Sequence, residues 1–356
     1  MTTHITRRNA LSLTAAAAIV PVTGLSAHAS AAIEITNNGQ KKMLELTSGR
    51  NDVTFRSQGV NLVGHLYLPE DFDNTKKYPT VVFSGPLGQV KEQMAANYGD
   101  AMVARGYVYL AFDHIGFGDS EGDLRQDENP FKKMEGIRDA VSYLGTLPFV
   151  DRDRLFGIAG CASASYMPVV AVTDKRIKAL ATVSGLLDGH SRFFGGGMPK
   201  EVLLTLIKAS NAARQSLYEQ GTLDPVDLIG FEKNDPATLD PNSINGQGYD
   251  YYQTARAGSQ TFPNYDYRVQ ATMFETQPLV SARQWAPYLN TPFLGIYGSA
   301  AMDNTAQATL DFFAEATEPK ELYEVKDARH VDLYDYPHFV AEVADKIDSF
   351  FQKHSG

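Results

Sequence analysis

Disulfide bonds are the first thing this sequence rules out. Its 356 residues contain one cysteine, Cys161, so no internal bridge can form and stability must come from the hydrophobic core. Basic charge is also in short supply, with 32 Lys and Arg against 42 Asp and Glu and a net charge of -10. That balance argues against nucleic acid and anionic membrane surfaces as partners. Long apolar runs are missing too: the alanine-rich stretch up to Val20 is broken by Pro21 and Gly24 and falls short of the ~20 residues a membrane span requires. No HExxH, paired CxxC or calcium-loop spacing occurs, and Gly157-Ile158-Ala159-Gly160 is half a dinucleotide fingerprint without its third glycine. His330, Asp332, Asp335 and His338 could gather around a metal, but they read better as solvated polar residues of a loop and a helix start. The sequence therefore predicts no cofactor and no metal.

What is present begins with Thr6-Arg7-Arg8-Asn9-Ala10-Leu11, an alanine-rich run and Ala27-His28-Ala29, the three parts of an export signal. The paired arginines point to the twin-arginine route, so residues 1–29 are read as a signal handled by the Tat export machinery, leaving a soluble periplasmic or secreted protein. The remaining chain slightly exceeds the size at which single cores stop growing, which favours one main domain carrying an insertion.

Alternating residues in Asp52 to Arg56 and Leu62 to Leu68 predict an antiparallel pair at a sheet edge. Continuous apolar runs follow at Thr80 to Ser84, Tyr107 to Phe112, Leu155 to Ala159 and Ala179 to Ser184, and two further strands are predicted at Phe293 to Tyr297 and Glu321 to Val325. Runs buried on both faces imply a parallel sheet. Helical periodicity separates them in Glu92 to Arg105, Lys133 to Leu147, Ala306 to Ala316 and Pro337 to Gln352, with another helix starting near Ala162. The prediction is an α/β fold with a doubly wound, mostly parallel sheet, formed by residues 30–187 and 288–356. Residues 188–287 break the alternation and are read as a cap with one main helix over Lys200 to Glu219; most of its aromatics are expected to fill its own small core and a minority to line a substrate pocket.

Ligands in such sheets bind beyond the carboxyl ends of the strands. Cys161 stands there, in Leu155-Phe156-Gly157-Ile158-Ala159-Gly160-Cys161-Ala162-Ser163, with small residues two positions before and after it, as a turn tight enough to expose a nucleophile requires. Ser163 is the rival nucleophile, but it would push the strand end onto Gly160 and Cys161. A thiol ionises near ~8.5 unperturbed, and a helix start or an imidazolium favours the reactive anion. His330, after the last strand run, is the candidate general base and acid. Asp303, past Phe293 to Tyr297, is the candidate acid that orients it, with Asp332 and Asp188 as alternatives. The backbone NH of Ala162 is one oxyanion donor. The Ser84 to Gly88 loop should supply the second, from Leu87 before Gly85, since Pro86 has no NH.

Ser84-Gly85-Pro86-Leu87-Gly88-Gln89-Val90-Lys91-Glu92-Gln93, Phe112-Asp113-His114-Ile115-Gly116-Phe117-Gly118-Asp119-Ser120-Glu121-Gly122, Gly160-Cys161-Ala162-Ser163 and His330-Val331-Asp332-Leu333-Tyr334-Asp335 together resemble the α/β-hydrolase superfamily. More narrowly they resemble its dienelactone-hydrolase-like branch, whose members carry a cysteine at the nucleophile elbow. The resemblance implies a hydrolase acting on a small-molecule acyl substrate, in a group of bacterial hydrolases and fungal polyketide-processing relatives sometimes grouped with X-Pro dipeptidyl peptidases. An ester, lactone or thioester suits a thiolate nucleophile better than a peptide does. Acyl transfer, an X-Pro-type peptidase and a non-catalytic ligand-binding homologue are the alternatives. The mature N-terminus is expected to begin at Ser30, and intact-mass analysis of the exported fraction checks it; retention of Met1 there would contradict the signal reading.

Overall fold

The computed structural model describes residues 32–35, 41–190, 198–227, 235–301 and 305–355. The expected signal at 1–29 and Asp303 lie outside the described residues. A short antiparallel pair, β1 (Ala32–Ile35) and β2 (Lys41–Leu44), precedes the main sheet. That sheet has eight strands: β3 (Gly49–Ser57), β4 (Val60–Leu68), β5 (Tyr78–Ser84), β6 (Val108–Phe112), β7 (Val150–Gly160), β8 (Leu180–Val183), β9 (Phe293–Gly298) and β10 (Lys320–Val325). Their spatial order is β10-β9-β8-β7-β5-β6-β4-β3. Pairings from β10 through to β6 are parallel, while β4 joins β6 and β3 joins β4 antiparallel, so the alternating pair predicted at the edge is there.

The continuous apolar runs are explained by burial on both faces. Along β6, Val108, Leu110 and Phe112 enter one core layer while Tyr107, Tyr109 and Ala111 enter the other. Helices α1 (Met94–Val103) and α8 (Pro337–Lys353) cover the second layer; α2 (Pro130–Leu144) and α3 (Met167–Thr173) cover the first. Chain order reverses around β5, which lies between β6 and β7, and at such a switch point the loops beyond the strands diverge to leave a crevice.

One helix differs from expectation. The segment after β7 starts as a 3₁₀ turn over Cys161–Ser165, and α3 begins only at Met167. Pro168 is the reason: it has no NH to give the carbonyl of Ala164 and its ring would crowd that oxygen, so it is tolerated only where a new helix starts.

Among the described residues between β8 and β9, none adds a strand to the sheet. This insertion contains α4 (Lys200–Gln220), α5 (Ile244–Tyr252) and several 3₁₀ turns. It lies over the strand-end loops, where Gln93 Nε2 donates to Ala257 O (2.6 Å) and Gln277 Nε2 to Glu128 O (3.0 Å). Its own core is small, formed by Leu203, Val269, Met273 and Phe274, and Tyr251, Tyr252 and Phe262 instead join the main core beneath it. The aromatics thus bind the insertion to the sheet more than to itself. α6 (Thr305–Glu315) and the four-residue α7 (Asp332–Asp335) complete the chain. No helix among the described residues is long and apolar enough to cross a membrane.

Two buried ion pairs fix the loop after β5. Glu128 accepts from Gly88 N (2.9 Å) and pairs with Lys133 Nζ (2.6 Å), and Asp113 accepts from both Lys91 N (2.7 Å) and Lys91 Nζ (2.8 Å). Lys133 also sits 4.4 Å over the Phe117 ring. Glu128→Ala would leave the Lys133 ammonium buried without its carboxylate, and urea unfolding is expected to show a loss of about 3–5 kcal/mol.

Candidate active site

At the end of β7 the backbone turns at Cys161 with φ +46°, a left-handed conformation that a side-chain-bearing residue seldom adopts. The turn lifts the thiol off the sheet while its carbonyl accepts from Leu186 N (2.9 Å). Small residues are needed because the elbow is crowded: Ser163 is completely buried, donating to Gly85 O (2.5 Å) and lying 2.8 Å from Ser84 Oγ, which in turn meets His114 Nε2 at 2.8 Å. Burial drives the His114 imidazole well below its ordinary pKa, keeping it neutral in this network. Ser163 is therefore a structural tie between the elbow and the loop after β5, and Cys161 is the side chain the turn presents.

The Ala162 NH stands at the second position of the 3₁₀ turn, where no intrahelical carbonyl can reach it. Leu87 lies half-buried in the turn after β5, and among the described residues no hydrogen bond occupies its NH. Gly88 NH is committed to Glu128, and a Cβ on Gly85 would run into the Gln89 side chain at 2.3 Å. Gly85 leaves that space to the Gln89 side chain, and with Gly88 NH engaged and Pro86 without one, Leu87 remains the better second donor.

His330 is fully buried just beyond β10. Ser184, at the end of β8 with φ +49°, donates its hydroxyl to the His330 carbonyl (2.9 Å) and so ties the histidine loop to the strand next to the elbow. The ring is oriented from both sides. Nδ1 lies 3.4 Å from Thr305 Oγ1 at the start of α6, and Nε2 lies 2.9 Å from the Tyr334 hydroxyl. Burial first, then the nearby Cys161 sulfur, push the Tyr334 phenol well above the usual tyrosine range. Cys161 and His330 thus lie in one neighbourhood, with the Tyr334 hydroxyl on the His330 ring and within the field of the sulfur. Residue sequence alone gave no reason to single out Tyr334. The available signal was its position four residues after His330, which places both side chains on one face of a helical turn.

The alternative acids are engaged elsewhere. Asp332 accepts from Arg329 N, Nε (both 3.0 Å) and a terminal nitrogen (2.8 Å); burial works to raise its carboxyl, but these bonds outweigh it and hold the group below its usual range. Asp188 forms a backbone bridge with Ser281 and lies in the field of Arg283. The expectation that Asp332 and Asp335 are ordinary solvated groups is corrected: Arg256, from the insertion, bonds Asp335 through two nitrogens (2.8 and 2.5 Å), approaches Asp332 at 3.6 Å and donates to Val331 O (2.9 Å). That residue lies far upstream in sequence, which is why the pairing cannot be read locally.

Around the thiol the surface is phenolic. Cys161 acts electrostatically on the buried Tyr166 and Tyr334 and the half-buried Tyr252, and Tyr252 stacks on Tyr265 (5.6 Å between centroids) while meeting Tyr251 edge to face at 4.7 Å. The arrangement can present a nucleophile, a base and two backbone donors to an acyl carbon beside a group of aromatic rings.

Known proteins resemble this chain in sequence and in fold. The model of the X-Pro dipeptidyl-peptidase (S15) family matches residues 58–331. An uncharacterised protein of Escherichia coli K12, YcjY, is 32% identical over 313 residues, covering 85% of this chain and 98% of its own. The thiohydrolase aneE of Aspergillus aculeatus is 27% identical over 290 residues, covering 77% of this chain and 84% of its own. The crystal structure of the α/β hydrolase GrgF from Penicillium sp. sh18 superposes with a TM-score of 0.69 at 20% identity, over 86% of this chain and 99% of that one. By sequence and by fold, this chain is a hydrolase-like member of the α/β-hydrolase superfamily and belongs to the X-Pro dipeptidyl-peptidase (S15) family.

Proposed function

We propose that the protein hydrolyses a small-molecule ester, lactone or thioester through an acyl-enzyme on Cys161, in the manner of the dienelactone-hydrolase-like branch. The observation that carries this reading is the left-handed backbone at Cys161 with the His330 ring held at the same point through Tyr334. His330 takes the thiol proton, and the thiolate attacks the acyl carbon. The oxyanion that develops is met by the NH groups of Ala162 and Leu87. Collapse expels the alcohol or thiol, which receives its proton from His330. Water then enters, His330 acts as base a second time, and the acid leaves with the thiol restored. Asp303 is assigned the orienting carboxylate, because His330 Nδ1 faces Thr305, two residues after it.

A thioester is favoured within this class. A thiolate attacking a thioester exchanges leaving groups of similar basicity, and the similarity to a thiohydrolase points the same way. Export by the Tat machinery to the periplasm or beyond belongs to the same proposal and rests on residues 1–29 alone.

Peptide hydrolysis is the second reading, favoured by the family match. Removing a dipeptide from a free N-terminus requires a carboxylate for the α-ammonium. Tyr166, Tyr252 and Tyr334, on which Cys161 acts, are neutral phenols, and Glu128, next to Tyr166, is already paired with Lys133. Hydrolysis of p-nitrophenyl esters, acyl thioesters and X-Pro-p-nitroanilides discriminates the two. Ester or thioester turnover is expected, with kcat/KM falling about 10³-fold or more in Cys161→Ala and about 10² to 10⁴ in His330→Ala. Undiminished turnover in either variant, or a preference for the anilide, would overturn the assignment.

A further inference from the structure

We infer that Tyr334 is a further catalytic residue, its hydroxyl carrying the proton between the Cys161 thiol and His330 Nε2. The inference rests on the Cys161 acyl-enzyme reading and adds to it a group seated on the ring nitrogen that must serve the thiol.

The geometry comes first. The phenol oxygen lies 2.9 Å from His330 Nε2, the ring nitrogen that must serve the thiol, and the Cys161 sulfur is near enough to act on the phenol. A hydroxyl has one proton to donate and two lone pairs to accept with. When His330 is neutral and protonated at Nδ1, toward Thr305, Nε2 is an acceptor. The Tyr334 O–H must then donate to Nε2, and the phenol oxygen is left to accept the S–H. The resulting chain runs S–H to O, then O–H to N. When it shifts, the S–H bond breaks as a new O–H bond forms, and the old O–H bond breaks as the N–H bond forms. One proton moves from sulfur to nitrogen, a thiolate and an imidazolium result, and Tyr334 is again a neutral phenol. The reverse shift returns the proton when the thiol is released, and no outside reactant is needed.

The tyrosine is built to hold that position. Its ring is fully buried and meets His330 at 5.6 Å and Tyr251 edge to face at 5.0 Å. Its backbone is fixed by Asn97 Nδ2 donating to Tyr334 O (3.0 Å) and Tyr98 OH donating to Leu333 O (2.9 Å). Arg256 clamps the same turn through Val331 O and Asp335. A tyrosine that only filled space could leave its hydroxyl on a backbone carbonyl, as Tyr98 and Tyr109 do. The titratable groups facing it are Cys161, His330, Tyr251 and Tyr252, and burial keeps all three phenols protonated across the ordinary pH range.

The test is Tyr334→Phe, which keeps the ring and removes only the hydroxyl. Iodoacetamide alkylation of Cys161 measured against pH is expected to move its midpoint upward by about one unit, because the thiolate loses a hydrogen-bond donor. Turnover of a p-nitrophenyl ester should lose at least about tenfold in kcat/KM, with KM little changed. Should the variant fail to fold, the wild-type enzyme carries the test. The solvent isotope effect on kcat/KM, measured across mixtures of light and heavy water, is expected to bow as two protons move together, and a strictly linear dependence contradicts the relay. A folded Tyr334→Phe with an unshifted alkylation profile and turnover within about twofold of wild type overturns the role of Tyr334 while leaving the thiol mechanism intact. Full turnover by Cys161→Ala removes the mechanism itself, and the relay with it.

Discussion

The left-handed turn at Cys161 is the constraint on which the rest of the site depends. A side-chain-bearing residue in a sparsely populated backbone region costs on the order of 1–3 kcal/mol and persists only when its surroundings enforce it. Here the enforcement is visible. Leu186 holds the Cys161 carbonyl, Ser163 is tied to the loop after β5, and Ser165 is hydrogen-bonded to the Leu186 carbonyl. Each tie also sets the distance between two parts of the site, so the strain at the elbow and the placement of the oxyanion loop are one structural problem with one solution.

That solution uses buried polar groups where an apolar core would be simpler. Glu128 with Lys133, Asp113 with Lys91, and the chain Ser163, Ser84, His114 all lie beneath the strand-end loops. Buried ion pairs add little net stability compared with well-packed apolar residues, but removing one partner is severe. Their value here is directional. Glu128 fixes Gly88 NH and so sets the loop that presents Leu87, and Ser184 fixes the carbonyl of His330. Arg256 extends the same logic to the insertion, joining it to the turn that carries His330 and Tyr334.

How much of this was legible in the residues follows from the range of the forces involved. The strands announced themselves because a strand buried on both faces has no polar residue to interrupt it, as in Thr80 to Ser84 and Tyr107 to Phe112. The elbow was legible because the turn demands small neighbours at fixed spacing. The helix break at Pro168 was also written locally, but the apolar run after Ala162 concealed it. What stayed hidden depends on contacts distant in sequence. Asp332 and Asp335 look like surface residues until Arg256 arrives, and α5, rich in glycine and tyrosine, has little helical propensity of its own. Tyr334 reads as an aromatic at the edge of a helix, and only the meeting of β7 with the loop beyond β10 gives its hydroxyl two reactive partners.

The central claim is that the acyl group is carried on Cys161. Rapid acid quench of the enzyme during turnover of a slowly hydrolysed acyl thioester, followed by proteolysis and mass spectrometry, tests it directly. The account predicts a transient mass increase equal to the acyl group on the peptide containing Cys161, located on the sulfur and discharged as product accumulates. An acyl group found on Ser163, or turnover with the Cys161 peptide unmodified throughout, would contradict it.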